Sequence, residues 1–239
     1  MSANREATTS MRSFTIVWFG QLVSITGTTL TAFGLQFFIY TETGSVTRVA
    51  LIALAYALPA VVLAPLAGSV ADRFDRRMVM LVADAAAGTA TLALLWVLSF
   101  GDLPFWLIVI ATAVGSSANA FQEPAWLSSI AVLVPRDQLG RANGMVQFNQ
   151  GLAVVIAPAL AGALLATAGL AGVLIVDAAT FAIGVLALAV VTFPPYEHEG
   201  GPHRSVRNDS GFAWRYLRDR PGLFWLLSVS YTHLRAHET

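Results

Sequence analysis

The sequence contains no cysteine, every basic residue is arginine, and only 12% of its 239 residues are charged. Without cysteine, disulfide bridges and thiolate metal sites are excluded. The charged share is about half that of an ordinary soluble domain, whereas 56% of the residues are hydrophobic. Such a chain cannot cover its apolar surface with polar groups, so the composition predicts a membrane protein built of helices.

The few charged residues are clustered, and the stretches between them are long enough to cross a bilayer. A hydrocarbon core about 30 Å thick needs roughly 20 apolar residues per helix. The longest stretch, residues 142–196, carries only Asp177 and has room for two spans that turn near Gly169, where small residues let the chain reverse. The pattern predicts six transmembrane helices, near residues 14–40, 49–70, 78–100, 103–125, 142–167 and 172–193.

The predicted six-helix bundle, residues 14–193, lies between polar ends. Residues 1–13 form a predicted cytoplasmic amino terminus, and residues 194–221 a predicted cytoplasmic loop with an amphipathic helix. Residues 222–230 are predicted to begin a seventh helix that is too short to span a membrane. Residues 231–239 are polar and resemble translated adapter sequence, so we interpret them as a non-native tail and predict no metal site there.

The arginines predict the orientation of the bundle. Those of the amino terminus, of the two connections at 71–77 and 134–141, and of the loop after the sixth helix all lie on one side, and only Arg48 lies on the other. Cytoplasmic connections carry an excess of basic residues. The amino terminus is therefore predicted to be cytoplasmic.

The sequence repeats itself weakly at a shift of 93 residues. The shift places the segment VVLAP at 61–65 on VVIAP at 154–158, and Asp84 on Asp177. Because three helices are an odd number, the second triplet would cross the membrane in the opposite sense, as in the inverted repeats of transporters. The alternative is chance similarity between alanine-rich helices. An aspartate within a span costs about 2.5 to 3.5 kcal/mol to insert, so two at equivalent positions indicate a function.

The connection between the second and third predicted helices carries the most specific motif, GSVADRFDRR. It closely resembles the signature loop of the major facilitator superfamily, although Asp75 stands where many members have a second glycine. The surrounding sequence looks most like the branch of enterobactin exporters and macrolide efflux proteins. The loop positions that carry the resemblance are Gly68, Asp72, Arg73, Arg76 and Arg77.

The resemblance implies half of a twelve-helix fold, with six helices arranged as two inverted three-helix repeats. It also implies a secondary active transporter in the bacterial inner membrane that exports drugs or siderophore-like molecules. Its partners would be the lipid bilayer, a small amphipathic substrate and a missing carboxy-terminal half, with no nucleic acid. It would use the proton gradient and no cofactor.

In this family the loop is thought to act as a conformational switch, with Asp72 facing the amino terminus of a helix in the other half. Gly68 would let helix backbones approach closely. The alternative for Arg76 and Arg77 is that they only anchor the topology. Both interpretations remain open from the sequence.

Three acidic residues of the predicted spans are candidates for ion coupling: Asp84, Asp177 and Glu123. Acidic residues inside membrane spans commonly belong to proton relays. We hypothesise that Asp84 or Glu123 takes part in coupling. The sequence departs from the related branch where Thr28 replaces a frequent acid and Ala87 a frequent arginine, which leaves proton coupling open.

Two further sets of residues have candidate roles. In predicted helix five, Ala157, Pro158 and Gly162 resemble an antiporter motif and form either a hinge or a packed interface of small residues. Polar residues of the spans could line a cavity, although serine and threonine hydroxyls often bond to their own helix. The cavity candidates are Gln21, Thr28, Gln36, Asn119, Gln147 and Asn149.

The sequence also bears on two other classes of protein. A membrane enzyme is disfavoured because the sequence has no HExxH, GxSxG or P-loop pattern and no histidine inside a predicted span. The remaining alternative is a non-transporting membrane fragment or scaffold.

Overall fold

The computed structural model describes residues 10–193, and all regular structure in this range is helical, as the composition predicts. The predicted loop at 194–221, the start of a seventh helix at 222–230 and the tail at 231–239 lie outside the described residues. The helices are α1 (Met11–Thr43), α2 (Val46–Arg73), α3 (Arg76–Leu98), α4 (Phe105–Leu133) and α5 (Leu139–Val190), with a 3-10 turn at Arg136–Gln138 before α5.

Within residues 10–193, five helices are long and apolar enough to cross a membrane. The fifth, α5, is interrupted at Gly169, whose φ of 64° and ψ of −167° are not helical. Glycine tolerates a positive φ because it has no Cβ. The interruption lies within the predicted turn and divides α5 into segments α5a (residues 139–168) and α5b (residues 170–190).

Side-chain caps fix the beginnings of three helices. The hydroxyl of Ser10 accepts a hydrogen bond from the amide of Arg12 at 3.2 Å at the start of α1. Ser45 caps α2 in the same way, and the carboxylate of Asp75 accepts the amide of Arg77 at 2.8 Å at the start of α3. These residues satisfy amides that have no partner within the helix.

Prolines inside the helices do not end them. Pro59, Pro65 and Pro124 all lie within continuous helices. Helix α4 therefore runs to Leu133, beyond the predicted end near residue 125. Its last turns remain ordered in the core because Ile130 and Leu133 are buried there, and membrane helices tolerate proline when their surroundings accommodate the freed backbone groups.

The helices pack into a bundle in which α4 contacts α2 and α3, α1 contacts α5, and α3 also contacts α5. Two large apolar clusters fill the bundle near its two ends. One contains Phe14 and Trp126, whose rings stack at 5.8 Å. The other contains Leu30 and Leu174. Asp84 and Asp177, described below, lie between these two clusters.

Three glycines let α1 approach α5b closely, and we call them the glycine seam: Gly20, Gly27 and Gly34. Their spacing of seven residues places them on one face of α1, two turns apart. A Cβ atom added at each would meet a side chain of α5b. The three side chains that would be met are Ala187, Thr180 and Val173, in that order.

Candidate functional site

The motif loop joins α2 to α3 and contacts the end of α5b. Nε of Arg77 donates a hydrogen bond to the carbonyl of Leu188 at 2.9 Å, and Nη2 donates to the carbonyl of Ala189 at 2.8 Å. These carbonyls lie in the last turn of the helix, where no helical amide can reach them. Arg77 therefore caps α5b across the bundle, a position that suits its positive charge.

The other residues of the loop have different surroundings. Asp72 is exposed, and Arg73 and Arg76 are half-buried. A Cβ atom added at Gly68 meets nothing within 4 Å, so the predicted close approach of helix backbones at this glycine is not found within residues 10–193. The close approaches are made by the glycine seam instead, because α1 rather than α2 packs along α5b.

Asp84 is fully buried and is held by side chains of two other helices. Nε2 of Gln122, on α4, donates to Oδ1 of Asp84 at 2.8 Å and to Oε1 of Gln21 at 3.1 Å. The hydroxyl of Ser24, on α1, donates to the same carboxylate oxygen at 3.5 Å. A single carboxylate thus connects α1, α3 and α4 inside the bundle.

Asp177 occupies a second buried position, on α5b, with 1% of its surface exposed. The hydroxyl of Thr91, on α3, donates to Oδ2 of Asp177 at 2.8 Å. Oδ1 lies against Gly27 of the glycine seam, 2.9 Å from the position that a Cβ atom there would take. This carboxylate connects α1, α3 and α5b.

Each of the two carboxylates keeps one oxygen without a hydrogen bond to the described residues, Oδ2 in Asp84 and Oδ1 in Asp177. A buried polar atom without a partner is costly, and a buried charge more so. Protonation would remove the charge and turn one oxygen into a donor. The neutral and charged forms of these carboxylates would therefore differ in their hydrogen bonds to neighbouring helices.

Glu123 follows Gln122 in sequence but is not among the side chains that bond to Asp84 or Asp177. It is exposed on α4 and lies near Tyr56 of α2. Successive residues on a helix point about 100° apart, so Gln122 faces the interior while Glu123 faces outward. The structure therefore separates the two acids that the sequence proposed for coupling.

The predicted cavity residues also fall into different environments. Gln21 and Asn149 are buried between helices, and Nδ2 of Asn149 donates to the carbonyl of Trp18 at 3.3 Å. Thr28 and Gln36 bond to carbonyls four residues earlier in α1, those of Ser24 and Ala32.

The other two cavity candidates lie at the surface of the bundle. Asn119 is partly exposed on α4, and Gln147 is exposed on α5a. Their role in lining a cavity stays a prediction.

The predicted hinge in α5a is helical throughout. Ala157 is fully buried in the apolar core, whereas Pro158 and Gly162 are partly exposed. A Cβ atom added at Gly162 would meet nothing within 4 Å. The non-helical backbone of α5 lies at Gly169 rather than at Pro158, since a proline removes one hydrogen bond but keeps a helical φ.

Four residues that surround Asp84 or Asp177 are not among the predicted site residues: Ser24, Gly27, Thr91 and Gln122. Serine, threonine and glutamine are common in membrane helices, and nothing local marks those that meet an aspartate. The heptad spacing of Gly20, Gly27 and Gly34 is a signal that could have indicated the tightly packed face of α1. Ser24 lies on that same face, three residues before Gly27.

Comparison with known proteins extends these observations. The sequence profile described as Major Facilitator Superfamily matches residues 17–234. The chain is 29% identical over 219 residues to macrolide efflux protein A of Streptococcus pyogenes, which covers 90% of this chain and 54% of that relative.

Two further relatives are also efflux proteins that the chain matches over about half of their length. Macrolide efflux protein A of Enterococcus faecalis is 30% identical over 175 residues, covering 72% of this chain and 54% of the relative. The multidrug efflux pump Tap of Mycobacterium tuberculosis is 27% identical over 199 residues, covering 80% of this chain and 46% of the pump. The chain thus spans about half the length of the curated relatives it matches.

Proposed function

Because the chain belongs to the major facilitator superfamily, we propose that it is the amino-terminal half of a transporter that exports small amphipathic drugs. The observation that carries this proposal is the agreement among relatives, which are named as macrolide or multidrug efflux proteins in three bacterial genera. Siderophore-like molecules are a second substrate class within the proposal. The same relatives do not favour a non-transporting scaffold, and the family is typically not enzymatic.

In this proposal the six helical segments form two inverted repeats. The shift of 93 residues that places Asp84 on Asp177 also places Thr91 on Gly184. Thr91 bonds to Asp177, and Gly184 lies beside Asp84, its Cβ position 3.6 Å from Oδ2. Each contact thus maps onto the other when the repeats are exchanged, which is the behaviour expected of a two-fold axis in the membrane plane.

The proposed membrane is the bacterial inner membrane, with the amino terminus in the cytoplasm. The arginine-rich connections at 71–77 and 134–141 would then lie on the inner face. Exposed Trp96 and Trp106 lie at the opposite end of α3 and α4, where interfacial aromatic residues are common.

We assign the motif loop the role of a conformational latch. Arg77 attaches the loop to the last turn of α5b through two hydrogen bonds, and Asp72 is exposed next to it. An exposed carboxylate at this end of α2 could meet the positive amino terminus of a helix in the absent half. Breaking that contact would release one half from the other without disturbing the Arg77 cap.

Proton coupling is proposed to involve Asp84 or Glu123. Asp84 supports this role because its bonds to Ser24 and Gln122 join three helices, so a change in its protonation would change their packing. Glu123 supports it by its exposed position on α4, from which a proton could exchange with solvent in a cavity. Asp177 lies at the position of the second proposed repeat that is equivalent to Asp84.

The test is an efflux assay on the complete gene that carries this chain, expressed in a drug-susceptible bacterium. We expect lower macrolide accumulation, and we expect collapse of the proton gradient to abolish the difference. The double variant Asp84→Asn, Glu123→Gln should lose this proton-driven export, whereas Asp102→Asn, in an exposed connection, should keep it. Unchanged export by the double variant would refute coupling through these acids, and unchanged accumulation by the intact protein would refute drug export.

A further inference from the structure

The side-chain amides of Gln122 and Gln21 continue a chain of hydrogen bonds that begins at the buried carboxylate of Asp84. Nε2 of Gln122 donates both to Oδ1 of Asp84, at 2.8 Å, and to Oε1 of Gln21, at 3.1 Å. Gln21 and Gln122 are 8% and 6% exposed, so water scarcely reaches them. The carboxylate therefore decides which atom Gln122 can turn towards Gln21, a residue of a different helix.

Two atoms of this chain have no hydrogen-bond partner among the described residues. One is Oδ2 of Asp84, an acceptor, and the other is Nε2 of Gln21, a donor. A buried polar group without a partner is costly. The arrangement in the structure thus pairs the amide nitrogen of Gln122 twice and leaves that of Gln21 unpaired.

An amide can exchange its oxygen and nitrogen by turning about its last side-chain bond. This torsion has two roughly equivalent settings in glutamine, and the exchange leaves the shape of the side chain almost unchanged. If Gln122 and Gln21 both turn, Oε1 of Gln122 faces Oδ1 of Asp84 and Nε2 of Gln21. The reversed arrangement then requires a hydrogen on Oδ1, because two bare oxygens repel each other.

A protonated Asp84 provides that hydrogen. A neutral carboxyl group donates one hydrogen bond, and Oδ1 is the oxygen within bonding distance of Gln122. The reversal also gives Nε2 of Gln21 the acceptor that it lacks in the structure. Each protonation state of Asp84 therefore has its own consistent set of hydrogen bonds.

The charged and titratable side chains of the helices packed around Asp84 lie away from it. On α3, Arg77 is seven residues earlier, about 10 Å along the helix, and is bonded to the end of α5b. On α5b, Asp177 is seven residues before Gly184, which lies beside Asp84, and Glu123 of α4 faces outward. The others on α1, α3, α4 and α5 lie near helix ends: Arg12, Tyr40, Glu42, Arg76 and Arg141.

We propose that Gln122 and Gln21 form an amide relay that reverses when Asp84 takes up a proton. Gln122 is a positioning residue, since it acts through Asp84, and Gln21 carries the change from α4 to α1. These two helices make few other contacts, so the relay is a direct link between them. The inference rests on the coupling role proposed for Asp84 and names the groups that respond to it.

The test is infrared difference spectroscopy between neutral and acidic pH. It uses the complete protein that carries this chain, in lipid vesicles, with a heavy carbon isotope in the glutamine side-chain carbonyls. An amide carbonyl absorbs at lower frequency when it gains a hydrogen-bond donor. On acidification the band of Gln122 should therefore move down, and the band of Gln21, whose oxygen loses its donor, should move up.

Three variants assign the bands. Asp84→Asn should remove both shifts together with the carboxylic acid band of Asp84. Gln122→Met keeps the length of the side chain but removes the amide, so both shifts should be lost while the acid band remains. Gln21→Met should remove only the upward shift.

The matched control is Gln36→Met, because Gln36 lies about four turns further along α1 and bonds to the carbonyl of Ala32 in its own helix. It should keep both shifts. If Gln122→Met does not fold, Gln21→Met still tests the relay, since the described hydrogen bonds connect Gln21 to Asp84 through Gln122.

An upward shift of the Gln122 band on acidification would overturn the relay, because an amide that stays in place donates a weaker bond to a neutral acid. An unchanged spectrum in Gln21→Met would overturn it as well. In both cases the acid band of Asp84 would still support its coupling role. If Asp84 gives no acid band, the relay and coupling through Asp84 both fail, whereas drug export is decided by the separate efflux assay.

Discussion

The two buried aspartates connect neighbouring helices inside the bundle. Asp84 and Asp177 each accept hydrogen bonds from a neighbouring helix, and each keeps one oxygen without such a bond. A polar network of this kind is valuable only while its members are paired, because the low dielectric of the interior penalises an unpaired group. Substituting one aspartate at a time should therefore distinguish the loss of a hydrogen-bond acceptor from the loss of a charge.

We predict that Asp84→Leu destabilises the complete protein more than Asp84→Asn does. Leucine removes the acceptor for Gln122 and Ser24, leaving donors unpaired at a cost of about 1 to 3 kcal/mol. Asparagine keeps one acceptor oxygen. Thermal unfolding in detergent measures both, with Asp102→Asn as an exposed control, and equal midpoints for the leucine and asparagine variants would contradict the network.

A second prediction concerns Thr91, whose hydroxyl bonds to Asp177. Thr91→Val keeps the shape of the side chain but removes the donor, so the free energy of unfolding should fall by about 1 to 3 kcal/mol. Thr89→Val is the matched control, because the hydroxyl of Thr89 is exposed and bonds only to the carbonyl of Ala85 in its own helix. Equal effects of the two substitutions would show that the Thr91 bond adds no stability.

At the scale of helices, α1 and α5b approach each other closely through the glycine seam. Residues at intervals of seven lie on nearly the same side of a helix, and glycine lets two backbones come together there. A second contact between helices is the cap that Arg77, at the start of α3, places on the end of α5b. Both depend on atoms that are far apart in sequence, and each can be removed by one substitution.

Gly27→Ala should be strongly destabilising, although alanine normally favours a helix. Its Cβ atom would collide with Thr180 and lie 2.9 Å from Oδ1 of Asp177, and such overpacking costs about 1 to 3 kcal/mol. Gly162→Ala, where nothing lies within 4 Å, should be neutral or slightly stabilising. Thermal midpoints of the two variants compare them directly, and a stable Gly27→Ala variant would rule out close packing at the seam.

Arg77→Gln should loosen the end of α5b. The substitution removes charged hydrogen bonds to the carbonyls of Leu188 and Ala189, each worth about 1.5 to 3 kcal/mol at most. Amide hydrogen exchange of the last turn of α5b, measured in the complete protein, should become faster. Arg12→Gln, at an exposed position in α1, serves as the control, and unchanged exchange in Arg77→Gln would exclude the cap.

For the whole molecule, the charge distribution and the lengths of the apolar helices decide how the chain lies in a membrane. Residues 10–193 provide five helices capable of spanning it, the last of them interrupted at Gly169. If α5a and α5b each cross the membrane, the chain has the proposed six spans. It then returns to the side of its amino terminus.

The absence of cysteine from this chain makes its topology directly measurable. Single cysteines at the exposed positions Asp102 and Ala168, in a complete protein freed of any other cysteine, should react with an impermeant maleimide added to intact cells. A cysteine at Gln138 should react only after the cells are opened, because that connection is proposed to be cytoplasmic. Labelling of the Gln138 variant from outside would contradict the proposed orientation, and no labelling at Ala168 would contradict the sixth span.

By itself, the sequence determined the helical class, the positions of the apolar helices and the place where α5 is interrupted. These depend on local properties, namely charge-free stretches of membrane length and small residues at a turn. It also indicated that Asp84 and Asp177 would matter, because a carboxylate inside an apolar helix is rare whatever surrounds it. The motif loop was equally recognisable, since its residues are contiguous.

Only the tertiary structure decided which side chains those aspartates meet. Gln122 and Thr91 lie on helices that packing, and not sequence proximity, brings to Asp84 and Asp177. The same is true of Gly27, whose importance depends on the register between α1 and α5b. A buried polar group needs a partner from another helix, and the choice among many similar serines, threonines and glutamines is made when the helices pack together.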